Sequence, residues 1–196
     1  KPDPQLTENL YQHLQPQTNG VYLDIGCGTG NYTIALHQQK NVPFIGVEPS
    51  TKMLGIAKSK CDTIDWRYGT AEKIPLEDAS VEGIMGTLTV HHWQDVGKAF
   101  AELYRVLKPG GWAILETPML PNEEYKTRED LSVTDPKERI RLFHQADHVR
   151  IYGMDKKERL EKAGFEVDLD RFIMDMDSEL VERYRLAREH IWIARK

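Results

Sequence analysis

Apolar and polar positions along this chain of 196 residues follow two alternating rhythms. Short apolar runs fall at Val21 to Ile25, Pro43 to Val47, Ile64 to Tyr68, Val81 to Val90 and Trp112 to Glu116. Runs of this length predict buried strands, and those apolar on both faces predict central parallel ones. Helical spacing lies between them. Asn31 to Leu36 begins one helix, and Ser50 is placed as N-cap of a second that carries Met53, Leu54, Ile56 and Ala57. A third runs from about Gln94 to Leu107, with Val96, Phe100, Leu103, Tyr104 and Leu107 on one face. Leu6, Leu10 and Leu14 predict a further short helix over residues 5–14, and Lys108-Pro109-Gly110-Gly111 reads as a stop and turn. Strand and helix alternation implies an α/β fold, a mostly parallel sheet with helices on both faces.

The last third breaks the rhythm. Tyr152-Gly153-Met154 leads into a charged amphipathic helix with Leu160 and Ala163 inward and Gly164 as its C-cap. Phe165 to Leu169 alternates as a strand, and Ile191 to Ala194 reads as another. No clear crossover helix joins them, so they are expected as an antiparallel pair at one sheet edge. Residues 119–151 fit neither a strand nor a simple crossover, apart from a helical piece near Pro136 to Gln145. A loop this long in a compact domain points to a lid or substrate-binding insertion, expected above the C-terminal strand ends, where open α/β sheets bind ligands. The expectation is one domain over residues 1–196, with 119–151 as that insertion.

The most specific chemistry sits at the end of the first strand, where Asp24-Ile25-Gly26-Cys27-Gly28-Thr29-Gly30 runs into a helix. Glycines at alternate positions allow positive φ and let a ligand lie against bare backbone, and the helix start adds unpaired N–H groups. A nucleotide-like cofactor is expected across this turn. The spacing is G-x-G-x-G and not the G-x-G-x-x-G of NAD sites. Asp24 would repel a pyrophosphate but suits a ligand with an ammonium and a sulfonium. Glu48 ends the second strand, where a carboxylate can accept both ribose hydroxyls.

Bulk properties narrow the partners. Lys and Arg number 26 against 31 Asp and Glu, for a net charge of −5, and hydrophobic residues make up 40%. No basic half or tail stands out, which argues against a dedicated nucleic-acid binder. Cys27 and Cys61 form neither a metal-ligand spacing nor a disulfide framework. The first residues are polar without signal-peptide character, and no apolar run approaches membrane-spanning length. A cytoplasmic protein with no metal is expected.

The turn resembles motif I of the class I S-adenosylmethionine (SAM) methyltransferases, whose usual form is D-x-G-x-G-x-G. Gly69-Thr70-Ala71-Glu72-Lys73-Ile74-Pro75-Leu76 resembles the G-D-A-E-x-L-P-F segment of that family, with Thr70 in place of the usual Asp. Thr87, Leu88 and His91-His92-Trp93, followed by Arg105 to Gly111, also match. Residues 1–106 resemble the Methyltransferase-11-like group. From about 107 onward, Gly-Gly-Trp-Ala-Ile-Leu, Asp-His-Val-Arg-Ile-Tyr-Gly and Ala-Gly-Phe-Glu-Val resemble another, uncharacterised branch. The resemblance implies a Rossmann-like seven-stranded sheet and SAM as cofactor, with S-adenosylhomocysteine (SAH) as product. Its cofactor residues would be Asp24, Gly26, Cys27, Gly28, Gly30, Glu48, Pro49, Met53, Thr70, Ala71, Glu72, Thr87 and Leu88.

Asp147-His148-Val149-Arg150-Ile151-Tyr152 gathers an acid, an imidazole, a guanidinium and a phenol beside the insertion. Asp147 is expected to orient His148 and make it more basic, with His91 as a second candidate base. Arg150 is expected to clamp an acceptor carboxylate or phosphate, with Tyr152 and Tyr11 also on the acceptor. His144 and His148 are four apart, which on one helix face would offer two metal ligands, too few for a site. By elimination the acceptor is small and polar, and its nucleophile a hydroxyl. An NAD oxidoreductase, a non-catalytic SAM-binding protein and an RNA methyltransferase are the rivals.

Overall fold

A computed structural model describes residues 19–40, 42–87, 89–120, 124–170, 175–183 and 191–196. Strand β1 (Tyr22–Ile25) leads through the glycine turn into α1 (Asn31–Lys40), then β2 (Phe44–Glu48), α2 (Thr51–Lys60), β3 (Asp65–Tyr68) and β4 (Val81–Gly86). A single 3₁₀ turn (Val90–His92) precedes α3 (Val96–Val106) and β5 (Leu107–Leu115). After it come β6 (Arg128–Glu129), α4 (Pro136–Phe143), β7 (Arg150–Ile151), α5 (Lys156–Lys162), β8 (Glu166–Asp170), α6 (Ser178–Arg183) and β9 (Ile191–Arg195).

Seven strands form one sheet in the order β3-β2-β1-β4-β5-β9-β8. The first five are parallel, and β9 runs antiparallel to both β5 and β8. The expected mostly parallel sheet with an antiparallel C-terminal pair is therefore present. The order reverses between β1 and β4, the switch point at which a crevice opens outside the strand C-termini. Leu23, Ile25, Ile84, Phe100, Leu103 and Leu107 are fully buried between sheet and helices. Helix α3 explains its own placement: Val96, Ala99, Phe100, Leu103 and Val106 share one buried face, and Asp95 caps its start by accepting from Lys98 N at 3.0 Å.

Four expectations need correcting. β4 ends at Gly86 and not at Val90, because the chain turns into the 3₁₀ segment that carries His91 and His92. Lys108 to Gly111 does not stop the chain but lies inside β5 as a bulge, where a step of two residues along β4 (Val81 to Gly83) faces a step of five along β5 (Leu107 to Trp112). Gly110, at φ +80°, absorbs the extra residues, and the ladder resumes through Gly110 N to Lys196 O and Lys196 N to Gly111 O. A six-residue helix, α6, stands between β8 and β9, where no clear crossover helix was expected. The insertion also contributes its own two-stranded sheet, β6 with β7, too short for apolar patterning to reveal. The helix expected over residues 5–14 lies outside the described residues.

Candidate cofactor and acceptor site

The three glycines of the turn all have positive φ, for three different reasons. A side chain at Gly26 (φ +72°) would run into Thr89, whose Cβ lies 2.7 Å from the ideal Cβ position. One at Gly30 (φ +74°) would strike the Trp66 ring at 2.5 Å. At Gly28 (φ +57°) nothing lies within 4 Å, so this glycine alone of the three faces open space. Glu48, buried at the end of β2, accepts from Gly28 N at 2.9 Å and from Ser50 N at 2.8 Å. The carboxylate thus joins the open part of the turn to the start of α2, where Ser50 Oγ accepts from Met53 N at 3.3 Å.

Asp24 is buried, and Thr33 Oγ1 donates to it at 2.5 Å, tying α1 to β1. Burial raises its pKa to about 7; the Thr33 bond works against that and nearby Glu48 adds to it. Asp24 thus also supports the turn by joining α1 to β1. Cys27 is partly buried beside Trp66, its thiol pushed up by burial and by both carboxylates. Lys60, which the sequence did not single out, reaches back from α2 to donate to Thr29 O at 3.0 Å and Asn31 Oδ1 at 2.8 Å.

Pro49 and Met53 flank this region in the open. Met53 is 46% exposed, so it is not a core residue. Thr70 is partly buried and pairs with Lys73 in an isolated bridge, and Ala71 is buried. Glu72 is engaged elsewhere, accepting from Gln94 N at 2.8 Å and Asp95 N at 3.3 Å ahead of α3. Thr87 is partly buried. Leu88 and Tyr11 lie outside the described residues.

Beyond β4 the structure brings together what the sequence had separated by more than fifty residues. The rings of His91 and His148, both buried, lie 4.0 Å apart between centroids, and His92 lies 4.0 Å from His91 and 6.0 Å from His148. Nδ1 of His91 and Nδ1 of His148 have no hydrogen-bond partner. Burial, then His92 and His148, lowers the His91 pKa to about 3. His148 is lowered too: Asp147 raises it, but burial outweighs that carboxylate. The expected gain in basicity is thus reversed. Asp147 instead stands 3.9 Å from His92 Nε2. His144 ends α4 as a left-handed C-cap at φ +67°. His148 therefore lies beyond the helix, and the two share no helix face. Among the described residues no group of three or more His, Cys, Asp or Glu could hold a metal ion.

Arg150 is not free to clamp an acceptor. Its Nη1 donates to Val90 O at 3.1 Å and Trp93 O at 2.5 Å, and its Nε donates to Glu129 at 3.1 Å. It pins the insertion to the 3₁₀ segment after β4. Tyr152 is buried without a hydrogen bond to its hydroxyl, and burial raises its pKa. This is no exposed acceptor contact but a ring packed in the core.

Sequence reasoning missed Lys156 entirely, because a lysine at the start of a charged helix looks solvated. It is buried, donating to Leu115 O at 2.7 Å and Thr117 Oγ1 at 3.0 Å just beyond the end of β5. Burial lowers its pKa to about 7, with Glu116 opposing. An unfolded lysine holds its proton to about 10.4. Between these values the unfolded state binds more protons, so stability rises with pH. From pH 7.5 to 9.5 we expect the protein to gain about 2 kcal/mol that Lys156→Met does not, measured by urea unfolding. Parallel pH profiles for the two proteins would show that Lys156 stays charged when folded.

Comparison with known proteins agrees with this geometry. Residues 23–115 match the family model described as Methyltransferase domain (Methyltransf_11). A demethylmenaquinone methyltransferase of Chlorobaculum tepidum is 32% identical over 110 residues, covering 56% of this chain and 46% of that protein. The chain spans about half the length of the curated relatives it matches. A crystal structure of an S-adenosylmethionine-dependent methyltransferase from Mesorhizobium loti superposes with a TM-score of 0.70 at 18% identity, covering 100% of this chain and 99% of that one. Phosphoethanolamine N-methyltransferase 2 of Haemonchus contortus, solved with S-adenosyl-L-methionine, superposes at 0.65 and 19% identity, covering 98% of this chain and 52% of that one. Residues 23–115, which run from β1 through the motif-bearing turn to β5, are thus similar to the Methyltransferase domain family, and the chain with its antiparallel edge shares the fold of these solved structures.

Proposed function

We propose that the protein is a cytoplasmic enzyme that transfers a methyl group from SAM to a small polar acceptor, through a hydroxyl. The observation that carries this reading is the pairing of Gly28 with Glu48: open backbone, a buried carboxylate and a helix start meet at the switch point of the sheet. These residues fit a ligand with an adenosine on one side and a cationic, amino-acid-like arm on the other. Glu48 would accept the ribose hydroxyls. Pro49 and Met53 would cover the base, with Thr70 and Ala71 at its edge and Thr87 near the arm. Bound SAM supplies an activated methyl on a positively charged sulfur, leaving as a neutral thioether.

The chain's own part is to orient the acceptor, exclude water and take up its proton. Orientation alone can lower a barrier by about 7–11 kcal/mol in favourable cases. His148 is taken as the proton acceptor ahead of His91, whose pKa near 3 makes it a hydrogen-bond acceptor more than a base. The low basicity of both imidazoles favours one second reading, a SAM-binding protein without transfer.

Calorimetric titration with SAM, SAH and NAD in parallel tests the cofactor. Both sulfur ligands should bind and NAD should not. Glu48→Ala should weaken SAH binding by about 100-fold or more, the loss of two hydrogen bonds to a charged acceptor at about 1.5–3 kcal/mol each. Unchanged affinity would remove Glu48 from the ribose. Turnover separates the two readings: SAH released only in the presence of an added acceptor supports the enzyme.

A further inference from the structure

We propose that the stacked imidazoles of His91, His92 and His148 form an acid-sensitive latch that holds residues 124–152 against the loop after β4 and releases them when the imidazoles take up protons. This rests on reading the insertion as the cover of the acceptor side. It adds a regulation that the reading does not contain.

The argument is geometric. His91 and His92 come from the 3₁₀ segment and His148 from the insertion, and the stack is where the two elements meet. His91 and His148 are buried with their Nδ1 atoms unpartnered, so a proton added at Nδ1 would arrive with no acceptor to receive it, while the Phe143 backbone favours the charged form of His148 and works against burial there. The guanidinium of Arg150 lies at the same junction, bonded to Val90 O and Trp93 O. The charged and titratable groups facing His91 are His92, His148, Asp147 and Arg150; those facing His148 are Asp147, His92 and His144. Glu129 holds Arg150 and Arg159 and so is committed to them. Asp147 is the carboxylate that opposes the latch. It is exposed and pairs with the outer ring, His92, so it softens the acid response without removing it.

The sign follows from linkage. Released, each imidazole titrates near 6.5; docked, both are depressed. The open form therefore binds more protons below pH 6.5, and acid favours it. An imidazole held as low as His91 multiplies the opening equilibrium by about 10 between pH 7.5 and 5.5, and His148, also lowered, adds at most a second factor of about 10. Above pH 7 the latch is closed and insensitive.

Backbone amide exchange on the full chain at pH 7.5, 6.5 and 5.5, corrected for intrinsic rates, reads this directly. Peptides spanning 144–152 and 124–135 should lose protection by more than 10-fold and up to about 100-fold over that range, while peptides from α3 and β1 stay level. His148→Phe keeps a ring in the stack and should cut the change to about 10-fold, and His91→Phe/His148→Phe together should abolish it. If His148→Phe does not fold, His91→Phe alone carries the same test. Protection that ignores pH in the parent protein, or an equal pH response in the double variant, overturns the latch. SAH titration at both ends of the range is kept as a separate arm. SAH that binds at neither pH defeats the cofactor reading, whatever the exchange shows.

Discussion

Gly26→Ala should destabilise the protein severely, whereas Gly28→Ala, two residues away, should leave it folded with a much weakened hold on SAH. Both positions have positive φ, +72° and +57°, so both substitutions carry the left-handed backbone cost of about 1–2 kcal/mol. The difference lies in what surrounds them. At Gly26 the new methyl would overlap Thr89, a buried residue that accepts from Trp93 Nε1 at 3.3 Å and whose methyl packs toward Gly86. Neither side can yield cheaply, because Gly26 N is bonded to Val47 O at 2.8 Å. Overpacking of this kind adds about 1–3 kcal/mol, for a total of about 2–5 kcal/mol against the 5–15 typical of a whole domain. At Gly28 the methyl enters open space, where the ligand is expected to lie. Stability should fall by about 1 kcal/mol and SAH affinity by about 100-fold, or about 2.7 kcal/mol. Urea unfolding and calorimetry on the two variants read both quantities. Should Gly28→Ala bind SAH as the parent does, the cofactor does not approach the backbone there.

These contrasts also show what the amino-acid order made legible. The seven strands, the helix cap at Ser50 and the antiparallel edge follow from local pattern, and local pattern is what β1 to β5 and α3 obey. The glycine turn was legible as a ligand site because spacing within seven residues reports one local geometry. Its division of labour was not, since Thr89 and Trp66 reach Gly26 and Gly30 from distant parts of the chain. Arg150 and Lys156 failed for the same reason. A basic residue reads as available until the fold supplies its partners, and here those are carbonyls of the 3₁₀ segment and of β5. Asp147 beside His148 suggested an activated imidazole, but adjacency in sequence turned the carboxylate toward His92 and left burial to set the basicity of His148.

Arg150→Met should cost about 3 kcal/mol, although it removes a charge from the interior. A methionine of similar length fills the volume, and Glu129 loses little, since it keeps Arg159 at 3.0 Å and its side chain is 36% exposed. The cost lies at the other end. Trp93 O loses the 2.5 Å bond from Arg150, and Val90 O, which also accepts from Trp93 N at 3.3 Å, loses its stronger donor. A buried carbonyl left unpaired costs about 1–3 kcal/mol. Glu129→Gln makes the opposite change: the carbonyls keep their donor, but a guanidinium that is 1% exposed loses its carboxylate. That should cost about 2 kcal/mol, less than the 3–5 of a fully buried pair because Glu129 is partly solvated. The double variant separates the two mechanisms. With the cation gone, the neutral amide at position 129 no longer strands a buried charge, so the pair should cost about 3 kcal/mol and not the sum of about 5. Simple additivity in urea unfolding would mean that Glu129 and Arg150 act independently, leaving the guanidinium's bonds to the 3₁₀ segment as its whole contribution to holding the insertion in place.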